Sequence, residues 1–213
     1  METSLLLFIE YLAVIVSSIY GVLLAARKGM DVMGVFAVAF AVAFAVAFGG
    51  GTLRDLFLDR TPLFWIGNPH YPMITLGIAV FAGLVLKLVG RIKPWLLLPD
   101  ALGMALFAIT GTAYSLETNP SWFIAAMMGM ITGTFGGVLG DVICNDVSAL
   151  FTPSPLNATC AFAGCWVYLF VLAVEGAPKE AAMVAAIAVI VLFPLASVKW
   201  NWCFPAVREA LAP

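Results

Sequence analysis

Polar and apolar positions divide the chain into seven stretches that hold no Asp, Glu, Lys or Arg: residues 11–26, 32–53, 61–86, 101–116, 118–140, 147–174 and 181–198. Several fall short of the roughly 20 residues that a crossing helix needs, but Glu10 and Asp100 each begin a helix that extends past them. Turn-forming clusters punctuate the apolar runs, among them Gly67-Asn68-Pro69-His70-Tyr71-Pro72, Arg91-Ile92-Lys93-Pro94 and Glu175-Gly176-Ala177-Pro178. The pattern predicts an all-α membrane protein of seven spans with connections too short for a separate soluble domain. Residues 38–48 alternate large and small, which is also a strand period. Phe36, Phe40, Phe44 and Phe48 nevertheless recur every four residues, and the run is twice the length of a barrel strand, so a helix with a packing ridge is expected.

Composition agrees with this reading. Of 213 residues, 63% are hydrophobic and 10% charged, where a soluble domain carries about 25% charged residues. The mean hydropathy is +1.08. The net charge of −2 and the absence of a basic run give no sign of a nucleic-acid partner. The start, METSLLLFIEY, has no basic residue before its apolar run, so the first helix is expected to be retained. Cys144, Cys160, Cys165 and Cys203 show no metal spacing and read as small packing residues. Lys and Arg fall unevenly: Arg27, Lys28, Lys87, Arg91, Lys93, Lys199 and Arg208 on one side, Arg54, Arg60 and Lys179 on the other. That bias predicts the N-terminus outside and the C-terminus, residues 201–213, in the cytoplasm.

Chemistry concentrates at Gly49-Gly50-Gly51-Thr52-Leu53-Arg54-Asp55, at the end of the second apolar run. Three glycines, each costing roughly 1 kcal/mol in a helix interior, predict a kink or break there. Broken backbone at membrane depth must line a cavity or be buried in protein, and intramembrane charges usually face a polar pathway. A second copy follows. Gly50-Gly51-Thr52-Leu53-Arg54-Asp55 aligns with Gly136-Gly137-Val138-Leu139-Gly140-Asp141 at an offset of 86, and Glu10…Gly21 aligns with Asp100…Gly111 at an offset of 90. The two units, residues 1–90 and 94–176, hold three spans each, an odd number, so the second is expected to be inverted relative to the first. A seventh helix, 179–200, lies outside the repeat, giving a single membrane domain.

The motif GGGTLRD with Pro62-Leu63-Phe64-Trp65, the second-half FGGVLGDV and the three-plus-three-plus-one spans resemble the prokaryotic trimeric intracellular cation channel family, over nearly the whole chain. The resemblance implies a homotrimer in membrane lipid, each protomer with its own pore between two glycine-kinked helices, conducting K⁺ and less selectively Na⁺, with no cofactor. Bacterial relatives are also described as glycine transporters, so transport of a small amino acid is the alternative. Carried over by position, the pore residues are Gly49, Gly50, Gly51, Arg54 and Asp55, then Gly136, Gly137 and Asp141, with Thr52, Gly133, Thr134 and Asp146 beside them. Relatives often keep an arginine in the second motif; here that position is Gly140, and Ser148 stands where Pro62 aligns.

Physically, a cation path needs carboxylates and exposed carbonyls. Asp55, Asp141 and Asp146 against Arg54 predict a net negative lining; alternatively Arg54 and Asp55 pair with groups of the opposite repeat and lock the halves together. Glu10 and Asp100 read as helix-start acids favoured by the macrodipole, with gating as the other role, and Lys87 as a snorkelling cation or gating charge. His70 is alone in its loop, so no metal site is expected. Tryptophans near span ends, including Trp65 and Trp122, fit an interfacial belt, and Gly103, Gly129, Gly133, Ala161 and Gly164 permit close helix packing. One isolated histidine and no nucleotide-binding fingerprint give no catalytic set, so no enzyme is expected.

Overall fold

Each apolar run folds as a helix because the bilayer leaves the backbone no other way to satisfy its N–H and C=O groups without an edge. The computed structural model describes residues 2–27, 32–85, 96–118, 121–148 and 157–199, and no strand occurs among them. The helices are α1 (Glu2–Ala26), α2 (Val32–Phe57), α3 (Phe64–Gly67), α4 (His70–Val85), α5 (Leu97–Thr118), α6 (Trp122–Ile143), α7 (Asn157–Leu172) and α8 (Lys179–Lys199). Five of them, α1, α2, α5, α6 and α8, are long and apolar enough to cross a membrane, while the apolar segments of α4 and α7 are shorter. The one-turn α3 was not expected; it forms inside what the sequence presents as a single apolar run. Lys87, Trp95, Cys203 and the tail 201–213 lie outside the described residues.

The helical backbone passes through Gly49–Gly51 and Gly136–Gly137 without interruption. Of the expected kink or break, the break does not occur, and the glycines allow contact. A Cβ on Gly50 would sit inside the carbonyl oxygen of Thr132, and one on Gly136 inside that of Val46. These contacts bring α2 and α6 together backbone to backbone. Position 136 is 86 after 50, and 132 is 86 after 46, so each side of the crossing is made by the equivalents of the other.

The offset returns where the two helices end. Both α2 and α6 close with a residue in the left-handed region, Asp59 at φ 51° and Asn145 at φ 52°. Asp59 and Asn145 donate their N–H groups to Leu56 O (3.4 Å) and Val142 O (3.0 Å); the next residues, Arg60 and Asp146, donate to Asp55 O (2.8 Å) and Asp141 O (2.9 Å). That is the Schellman arrangement, which satisfies the last carbonyls of a helix. Asp and Asn tolerate positive φ better than other non-glycine residues, which explains their presence at both corners.

Three apolar clusters fill the spaces between helices. One joins α1, α2, α3, α4 and α5 with α7 and α8, around Phe48, Phe64, Tyr71 and Phe107. A second, rich in alanine, joins α5, α6, α7 and α8, and a third joins α1, α2 and α4. Small residues set the spacing: Gly129 of α6 meets the Ala108 carbonyl of α5, and Gly164 of α7 meets the Ile190 side chain of α8. Cys144, Cys160 and Cys165 are buried free thiols.

Candidate functional site

The first-half motif is built upward from its glycines, each of which yields to a different neighbour. Gly49 faces the Leu139 side chain, Gly50 the Thr132 carbonyl, and Gly51 the ring of Phe64 in α3. The residues that follow fasten α3 into the space Gly51 leaves. Trp65 donates its indole N–H to Thr52 Oγ1 at 3.0 Å, and the Phe64 backbone N–H donates to Asp55 Oδ2 at 2.8 Å. Trp65 also packs at 5.3 Å from Phe44 and 5.9 Å from Phe48. The phenylalanine ridge of α2 thus has a definite partner in Trp65. Trp122 is 41% exposed at the start of α6.

Under this plate lies Arg54, with 0% exposure beside Glu10 and Asp55 at 2% each. Its Nε donates to Asp55 Oδ1 at 2.8 Å, and Nη1 donates to Glu10 Oε1 at 3.1 Å. The hydroxyl of Tyr71, on α4, donates to Glu10 Oε2 at 3.3 Å. Nη2 lies 2.8 Å from Asp55 Oδ1 but makes no hydrogen bond. The guanidinium also sits 5.1 Å from the Phe64 ring centroid and 4.6 Å from that of Tyr114 on α5. Arg60 lies 3.8 Å from the same tyrosine ring. A buried guanidinium is held here by two carboxylates and two aromatic faces, which is what burial of a charge requires.

Two expectations change. Glu10 does not begin a helix: α1 starts at Glu2, and Glu10 stands two turns inside it as an ion-pair partner of Arg54. Among the described residues, the ion-pair partners of Arg54 are Glu10 and Asp55 of the first repeat, and the Tyr114 ring reaches across from the second.

The second-half motif is built differently. Asp100 lies in the first turn of α5 as expected, and a Cβ on Gly137 would be 3.8 Å from its Oδ1. Asp141, in the last turn of α6, is near enough to repel it, and Tyr20 of α1 is within electrostatic reach of both. Gly140 occupies the place equivalent to Arg54, and a side chain there would strike Val46 and Leu24. An arginine there would require the Val46 and Leu24 side chains to give way. Gly133 packs against the Met104 carbonyl, and Thr134 Oγ1 donates to the Met130 carbonyl of its own helix at 2.8 Å. Asp146 is exposed beyond the α6 cap. The structure thus gathers the sequence candidates into two sets, one around Arg54 and one around Asp100 and Asp141, joined by the α2–α6 crossing. Tyr71 and Tyr114 were missed. Tyr114 stands among other hydroxyls, Thr110, Thr112 and Ser115, and Tyr71 in a turn-forming cluster, so neither stood out, and only the fold brings them to Glu10 and Arg54. His70 is exposed at the start of α4, and among the described residues no group of His, Cys, Asp and Glu could hold a metal.

The family model described as glycine transporter matches residues 7–87 and 97–173. A UPF0126 membrane protein of Vibrio cholerae is 34% identical over 209 residues, covering 96% of this chain and 84% of that protein. The UPF0126 inner membrane protein YadS of Escherichia coli K12 is 30% identical, covering 94% of this chain and 95% of its own. Crystal structures of the trimeric intracellular cation channel orthologue from Rhodobacter sphaeroides share 33% identity and a TM-score of 0.83, covering 93% of this chain and 100% of that one. With its glycine motifs, buried arginine cluster and helix arrangement all present in one chain, the protein belongs to the glycine-transporter family, which is that of the trimeric intracellular cation channels.

Proposed function

We propose that the protein is a channel for monovalent cations, K⁺ and less selectively Na⁺, in a prokaryotic inner membrane. The observation that carries this reading is the 0.83 TM-score to a cation channel orthologue at 33% identity over 93% of the chain. On this reading the chain spans the membrane seven times, with the N-terminus outside. Its two three-helix units are inverted, and it forms a homotrimer with one pore per protomer. The pore runs beside the α2–α6 crossing, with the Arg54 cluster towards the N-terminal side and Asp100 and Asp141 towards the other. Glu10, Asp55, Asp100 and Asp141 outnumber Arg54 and its neighbour Arg60 and give the path a negative balance, the sign that draws cations. The asymmetry of the two motifs, with Gly140 in the place equivalent to Arg54, gives Arg54 the role of a fixed positive charge at one end.

Single-channel recording in planar bilayers under a KCl gradient tests this. Discrete openings reversing near the K⁺ potential, with smaller conductance in Asp141→Asn, support the channel. A second reading, transport of a small amino acid such as glycine, is favoured by the description of the matching family model. A silent bilayer together with saturable glycine uptake into liposomes decides for it.

A further inference from the structure

A cleft of about 830 Å³ opens between α1, α5, α7 and α8, at the end of the bundle where α1 and α8 begin and α5 and α7 finish. None of its lining residues belongs to the Arg54 cluster or to the Asp100 and Asp141 set. Leu5, Leu116, Leu172 and Met183 make its walls apolar. Three charged side chains stand at its rim, Glu117 at the end of α5 and Lys179 and Glu180 at the start of α8, and all three are exposed. Helix ends mark the level at which a membrane gives way to its head groups. The cleft is therefore greasy below and charged where lipid head groups lie.

We propose that this cleft binds a phospholipid with an ethanolamine head group, taken from the leaflet on the N-terminal side. The charge at the rim selects the head group. Two carboxylates and one ammonium leave one negative charge in excess, whichever carboxylate Lys179 faces. A lipid phosphate next to Lys179 needs its own cation to satisfy the remaining carboxylate, and ethanolamine carries one. Its primary ammonium donates hydrogen bonds to Glu117 or Glu180, and charge-assisted hydrogen bonds are the strong ones. Choline has the charge but no N–H to donate. Phosphoglycerol has no cation and adds a negative charge to a rim already negative. The apolar walls take the glycerol and the upper part of an acyl chain, a size suited to the cleft, while the remaining chain lies along the protein in the membrane.

The test uses the full chain in detergent, offered an equimolar mixture of ethanolamine, choline and glycerol phospholipids with matched chains, and read by native mass spectrometry. Ethanolamine lipid is expected to be retained about tenfold over each competitor, the equivalent of one charge-assisted hydrogen bond. The Glu117→Gln, Glu180→Gln double variant is expected to bring that preference within about twofold while its thermal melt stays unchanged, since both side chains are exposed. Lys179→Met is expected to weaken all three lipids together. Equal retention of all three by the native protein overturns the proposal, as does preference for the glycerol lipid. Protein oligomers that exclude lipid from the cleft, marking it as a contact between copies, also overturn it. The readout is bound lipid, so its failure is distinct from failure of the channel reading.

Discussion

Replacing Arg54 by Met leaves two carboxylates, Glu10 and Asp55, at 2% exposure without their cation. Removing one partner of a buried ion pair costs about 3–5 kcal/mol. Here the low end applies, because the Phe64 N–H still donates to Asp55 and the Tyr71 hydroxyl to Glu10. Glu10→Gln alone keeps an oxygen that accepts from Arg54 Nη1 and leaves Arg54 with Asp55 as a neutral pair, so it costs about 1–2 kcal/mol. Making both changes removes the cation and one of the stranded anions together. The double variant should then be less destabilised than the two single costs combined, with a coupling of at least about 1.5 kcal/mol. SDS titration in mixed micelles, followed by circular dichroism, measures all three. An Arg54→Met cost under about 1 kcal/mol, or additivity within about 0.5 kcal/mol, refutes the argument that this cluster is a buried, mutually compensated set.

The α2–α6 crossing predicts that Gly50→Ala and Gly136→Ala each lose about 1–3 kcal/mol by overpacking against backbone, in the same titration. Gly77→Ala in α4, where a Cβ meets nothing within 4 Å, should be neutral or gain up to about 1 kcal/mol from helix propensity. Thr52→Val should release the Trp65 indole N–H, lowering stability by about 1 kcal/mol and shifting tryptophan emission; an unchanged spectrum counts against the α3 docking. At the left-handed corner, Asn145→Gly should be tolerated while Asn145→Val costs about 1–2 kcal/mol, and equal melting temperatures for the two would contradict the cap.

Much of this arrangement was readable in the chain. The repeated glycine motif announced two equivalent helices, and its offset of 86 reappears in the helix contacts and in the two caps. Arg54 stood out because a charge in an apolar run has to be compensated. Its partner was harder to find. Glu10 lies 44 residues away in sequence, and without a marked start to α1 it looked like the first residue of a helix. The glycines pointed to a special backbone without saying which kind, since a missing Cβ serves a bend and a close crossing equally, and only the position of α6 distinguishes them. The α3 turn was hidden because four residues between Pro62 and Asn68 are too few to read as a helix, and its anchors, Thr52 and Asp55, lie in the preceding helix.

All three charges of the buried cluster come from the first two helices. Arg54 and Asp55 enter the membrane on a helix that follows directly on the one bearing Glu10, so the guanidinium has both its carboxylate partners before the other helices have been synthesised. An isolated charged residue at a helix centre costs about 2.5–3.5 kcal/mol to insert. For this chain, α1 and α2 form the natural unit of insertion: a hairpin that carries its own counterions into the bilayer, with the aromatic covers, Phe64, Tyr71 and Tyr114, arriving as synthesis continues.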